Sequence, residues 1–233
     1  MGTIQLNMEE TLPEDQYDAT LVGRAWVPGA PSGPSVIWVR EDRVYDLTPR
    51  YRTMSELLEE EDPAGRIGKL EGLKGIGSLN DLLANTALGH LDALKPWLLA
   101  PCDLQAIKAS GVTFVSSMLE RVIEEQARGD LKKSEKIRIE ITKLSGENLA
   151  DIRPGSDSAM RVKEVLIRQD AWSQYLEVGI GPYAEIFTKS QPMSAVGTGV
   201  EIGIHPDSSW NNPEPEIVLA VNAKGNIVGA TLG

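Results

Sequence analysis

"EPEIVLAVNAKGNIVGATLG" occupies residues 214–233. An apolar run, the turn "NAKGN" and a second apolar run read as a β-hairpin. The first run, Ile217–Val221, carries no polar side chain and reads as a buried strand. Two glutamates stand at its mouth. Glu214 and Glu216 are two positions apart, so in an extended chain they share a face, roughly 7 Å apart at Cα. Pro213 and Pro215 favour that extended backbone. Two like charges side by side are costly unless a positive charge lies between them. The spacing fits a pair of ligands for one hard cation. It also fits an acidic loop that blunts a strand end in solvent.

Upstream of this hairpin, from Gly179 on, the texture is β. "AEIFTKS" (184–190) reads as a short strand, and "SAVGTGVEIGIHP" (194–206) alternates β-branched residues with glycine. Further upstream the texture is helical. "TFVSSMLERVIEEQARG" (113–129) places Val115, Met118, Leu119, Val122 and Ile123 on one helical face, with Thr113 as a cap and Gly129 as a stop. A second helix follows over 130–146, and a third from about Ser156 to Tyr175. Leu104, Ala106 and Ile107 suggest a strand before them, and Gly111 a turn. So much helix between strands suggests an insertion over a sheet-based core.

The first hundred residues read as a small α+β module with no visible chemistry. Residues 1–17 look like a loose acidic tail, and "ATLVGRAWVP" (19–28) like a strand. "SVIWVREDRVYDLT" (35–48) reads as a hairpin turning at Glu41-Asp42. Helices are expected over 53–61 and 77–87, the second capped by Ser78.

Bulk properties exclude several functions. The net charge of −11 repels nucleic acid, and the most basic patch (129–140) interleaves its cations with Asp130, Glu135 and Glu140. No apolar window is long enough to span a membrane, and the acidic N-terminus is no secretory signal. The single cysteine, Cys102, cannot form an internal disulfide and reads as a structural thiol, which makes a cytoplasmic setting the default. Two histidines, His90 and His205, cannot build a histidine-rich zinc site. Any metal would therefore take oxygen ligands, which points to Mg²⁺, Mn²⁺ or Ca²⁺.

Three more residues are candidates for chemistry. Ser117 and Glu120 lie at i, i+3 on one helix face, where a carboxylate beside a bound substrate can move a proton. The same face also fits plain solvent exposure. Lys189 can pair with a substrate carboxylate or serve as a surface lysine.

Read together, four segments resemble the fumarylacetoacetate hydrolase superfamily. They are "CDLQAIKASGVTFVSSMLE" (102–120), "AEIFTKSQPMSAVGTGVEI" (184–202), "NNPEPEIVLAVN" (211–222) and "GNIVGATLG" (225–233). "GVTF…LERVIEEQ" and "WNNPEPEIVL" are similar to the 2-keto-3-deoxy-pentonate dehydratase branch. The resemblance implies an N-terminal module over 1–100, then a mixed β-roll over 101–233 with a helical insertion. It implies a homodimer that acts on a small 2-keto acid and loses water. Glu214 and Glu216 would hold Mg²⁺, which would chelate the substrate's carboxylate and 2-keto oxygen. Glu120 would transfer a proton, Ser117 would orient a hydroxyl or water, and Lys189 would hold the carboxylate.

Three departures from the family pattern stand out. Ser117 occupies the place of a histidine that its hydrolases carry, so water-driven carbon–carbon cleavage is in doubt. The alternatives are hydrolysis or decarboxylation of an acylpyruvate or diketo acid, or an inactive fragment. The family's third carboxylate ligand and a further lysine would lie beyond Gly233. A site of two carboxylates alone would bind metal weakly.

Overall fold

The computed structural model describes residues 5–87, 89, 91–111, 123, 131–132, 134–136, 139, 153–168, 172, 176–183, 186–209 and 215–233. The chain is mixed α+β, and its sheets are antiparallel. It divides into two compact units, Met1–Ala106 with Gln191–Gly233, and Ile107–Ser190.

The first unit is organised by a five-stranded sheet. Its strands are β1 (Leu21–Val27), β2 (Gly33–Arg40), β3 (Arg43–Asp46), β4 (Lys74–Ser78) and β5 (Trp97–Leu99), in spatial order β4-β3-β2-β1-β5. β2 and β3 form the expected hairpin with Arg40 opposite Arg43, and Glu41 in the turn takes φ +55°. Alternation along β2 sends successive side chains to opposite faces. Val36 packs with Leu47, Met54, Leu57 and Ile67, which brings two short helices onto that face, α2 (Met54–Leu58) and α3 (Pro63–Ile67). Its neighbour Ile37 packs with Ala25, Val44, Leu79, Leu82 and Leu83 on the other face, under α4 (Leu79–Thr86). The sheet is therefore covered on both sides, as a stable layer architecture requires.

Local chemistry sets the helix ends. Ser78 caps α4 as expected, accepting from Asp81 N–H at 3.1 Å. Thr53 caps α2 by accepting from Glu56 N–H. The helix expected over 53–61 stops at Leu58, before the acidic run Glu59–Glu61, which a helix C-terminus disfavours. Asp62 and Pro63 then start α3 as cap and first residue.

Three further expectations are corrected. Residues 1–17 are not all loose tail. Met8–Thr11 form α1, and Leu6, Met8 and Leu12 pack against the sheet core. The stretch 194–206 holds no strand, because Gly197–Val200 makes a turn, with Gly199 at φ +79°. Leu104 and Ala106 precede the strand rather than form it. Asp103 and Gln105 hydrogen-bond locally there, Gln105 Oε1 accepting from Asp103 N–H, and the strand starts at Ile107.

The first unit ends in the hairpin of β8 (Ile217–Val221) and β9 (Ile227–Leu232). Its turn is as expected, with Gly225 at φ +82°. The reading of β8 as buried is overturned. Ile217 is 75% exposed and Leu219 50% exposed, because among the described residues β8 pairs only with β9, in a two-stranded sheet.

In the second unit β6 (Ile107–Ser110) pairs antiparallel with β7 (Ile186–Ser190), the strand expected from "AEIFTKS". The third expected helix is described as α5 (Asp157–Arg168), with Ser156 Oγ accepting from Ala159 N–H. A short helix, α6 (Glu177–Ile180), follows. Lys163 of α5 reaches Glu177 at 2.6 Å and lies 4.7 Å over the Trp172 ring. The helices expected over 113–129 and 130–146 lie almost wholly outside the described residues. No helix among the described residues is long and apolar enough to cross a membrane.

Candidate functional site

Glu216 sits at the entrance to β8 in the first unit. Its N–H donates to Gly233 O at 2.7 Å and its carbonyl accepts from Gly233 N–H at 3.0 Å. Backbone pairing thus extends the ladder to the glutamate itself and holds the residue extended. Its side chain is exposed and makes no bond to a described residue. A carboxylate with no partner among the described residues, on a paired backbone, suits a hard cation, which prefers charged oxygen donors. Glu214, its expected partner, lies outside the described residues, as do Ser117 and Glu120. Among the described residues no group of three or more His, Cys, Asp or Glu is placed to hold a metal ion.

Lys189 lies on β7 in the second unit and is exposed. Its Nζ stands 5.9 Å from the centre of the Phe187 ring, with no carboxylate partner among the described residues. His205 is exposed, and its Nδ1 accepts from Asp207 N–H at 3.2 Å in a loop corner. Cys102 is half-buried, and its carbonyl accepts from Arg24 Nη1 at 2.8 Å.

Among the described residues of the first unit, the most connected polar group is one that no sequence motif marks. Asp103 is 4% exposed. Its Oδ2 accepts from Met54 N–H at 2.7 Å, and its Oδ1 from Ser55 N–H, Ser55 Oγ and Leu104 N–H at 2.7–3.0 Å. Arg24, also buried on β1, brings Nε to 3.4 Å from Oδ2. Arg24 Nη1 donates onward to the carbonyls of Ala100 and Cys102. Burial alone would raise the Asp103 pKa, but the hydrogen bonds from Ser55, Leu104 and Met54 outweigh it and hold the carboxyl below its ordinary value. The partners that give Asp103 this role lie 48 and 49 residues away in sequence. No short motif announces such a pairing. A cavity of about 190 Å³ beside the pair is lined by Arg24, Arg52, Thr53, Asp103 and Met193. It is smaller than usual small-molecule sites, and its one carboxylate is fully engaged.

Residues 191–200 run beside this network. Met193 N–H donates to Asp103 O at 2.9 Å. A side chain at Gly197 would start 3.1–3.3 Å from the backbone of Leu98, Leu99 and Ala100. The small-residue stretch that follows Lys189 is therefore seated on the end of β5 by close backbone approach.

No family model matches this chain, and no solved structure does so significantly. Two curated proteins match in part. The chain is 42% identical over 48 residues to a 2-dehydro-3-deoxy-D-arabinonate dehydratase of Saccharolobus solfataricus, covering 21% of this chain and 16% of that protein. It is 39% identical over 59 residues to a "Probable 2-keto-3-deoxyxylonate dehydratase" of Haloferax volcanii, covering 25% of this chain and 20% of that protein. The matches thus span a fifth or less of those relatives' lengths, and over those stretches the chain is similar to two sugar-acid dehydratases.

Proposed function

We propose that this protein is a divalent-metal-dependent lyase that removes water from a 2-keto-3-deoxy sugar acid, a pentonate, to give a semialdehyde. The similarity to two dehydratases named for such substrates carries the reading. The exposed carboxylate of Glu216 at the mouth of β8, which has no partner among the described residues, supports the metal part of it. Glu214 and Glu216 would hold Mg²⁺, or Mn²⁺ or Ca²⁺, which when bound would polarise the substrate's 2-keto group.

In this reading the chain's own residues bind, orient and move protons. Glu120 takes the proton from C3. Ser117 orients the neighbouring hydroxyl, which leaves as water with that proton; the C3–C4 alkene then tautomerises, one proton moving from C5 to C3 and one from the terminal hydroxyl to C4, to give the semialdehyde. Lys189 pairs with the substrate carboxylate, a role open to it because its ammonium has no partner among the described residues. A serine at 117 suits loss of a hydroxyl better than activation of water, which calls for a base.

The test is direct. Purified protein with Mg²⁺ and 2-keto-3-deoxy-pentonate should release a semialdehyde, followed by a carbonyl-specific assay. Release of two acids from a diketone substrate instead would move the protein to hydrolase chemistry. Normal turnover by Glu216→Gln would sink the metal assignment.

A further inference from the structure

The two ends of α2 hold two separate stretches of the later chain. At its N-terminal end Asp103 accepts from Met54 and Ser55 N–H, and the Asp103 carbonyl accepts from Met193 N–H. At its other end Glu59, the C-cap residue, accepts from Ala223 N–H at 3.1 Å. Two residues on, Glu61 pairs with Lys224 Nζ. Ala223 and Lys224 form the tip of the β8–β9 hairpin.

That tip is stiff. Asn222 is 5% exposed, and its Oδ1 accepts from Lys224 and Asn226 N–H at 3.1 and 3.0 Å. α2 is equally fixed, since Met54 and Leu57 are buried in the core. The rest of the hairpin is not. Ile217, Val221, Ile227 and Leu232 are all more than half exposed. A hairpin with so little buried along its length takes its direction from where its tip is held.

We propose that α2 is a strut that sets the position of β8, and so of Glu216 at its mouth, with Glu59 and Glu61 as positioning residues. The inference rests on the reading of Glu214 and Glu216 as cation ligands. The contacts are exposed, so they are screened by salt and add little to stability. Their effect is on placement, to which a ligand set is sensitive at the sub-ångström level.

Two readouts on the full chain test this: Mn²⁺ affinity by paramagnetic resonance, and amide hydrogen exchange at Ala223. Glu61→Lys and Lys224→Glu should each weaken Mn²⁺ binding about three- to fivefold, the range of one surface pair. The melting temperature should stay as in the wild type. The double variant Glu61→Lys/Lys224→Glu should restore binding, and high salt should bring the wild type toward the single variants. Glu59→Ala should speed exchange at Ala223. Unchanged exchange there, or a double variant no better than the singles, overturns the strut. If the single variants bind Mn²⁺ like the wild type while Glu216→Gln does not, the strut falls and the cation site stands. If Glu216→Gln also binds normally, the cation reading itself fails.

Discussion

β2 and β8 are both apolar strands, yet they have opposite fates. Val36 and Ile37 of β2 are each 1% exposed, whereas Ile217 of β8 is 75% exposed. By composition β8 is the more apolar, since all five of its residues are aliphatic. What differs is cover. α2 and α3 lie on one face of β2 and α4 on the other, while β8 belongs to a two-stranded sheet. Burial belongs to an arrangement of layers and not to a run of side chains.

The largest way to sharpen this contrast is Asp103→Ala. It leaves Arg24 buried without its partner and the first N–H groups of α2 without an acceptor. A loss of about 3–5 kcal/mol is expected, read by urea unfolding. Next comes a matched pair of truncations. Leu83→Ala in the sheet core should cost about 2–5 kcal/mol, because Leu83 is fully buried. Leu219→Ala in the hairpin should cost far less, because half of its surface already meets water. Equal losses would break the comparison.

A pH series tests the same network more gently. The folded Asp103 carboxyl titrates below its ordinary value of 3.8. The ionised form is therefore favoured by folding. Its contribution is complete above the unfolded pKa and is lost as pH falls from there through the lower folded value. Asp103→Asn should flatten the loss of stability below about pH 4 relative to wild type, measured by thermal melts across pH. The smallest expected effect is Ser78→Ala. It removes the cap of α4 and should cost about 1 kcal/mol without altering the hairpin.

What the sequence made legible of the candidate residues is the backbone setting of two of them, Glu216 and Lys189. The E-x-E spacing marked Glu216, and the structure places it extended at a strand mouth. The short strand read from "AEIFTKS" is there and carries Lys189. Asp103 was not, because "PCDLQ" carries no periodicity and its importance comes from partners on β1 and α2. The strut contacts were invisible for the same reason, since Glu59 and Ala223 are 164 residues apart.

By itself the sequence determined features that depend on neighbours in the chain. The hairpin turns at Glu41-Asp42 and Asn222–Asn226, the Ser78 cap and the strands β1, β7 and β9 follow from local backbone preference and side-chain chemistry. Only the tertiary structure decided that Leu6, Met8 and Leu12 join a core, that β4 and β5 complete the five-stranded sheet, and that β8 stays exposed. Each of those depends on which surfaces meet across long sequence separations, and burial is a property of the meeting.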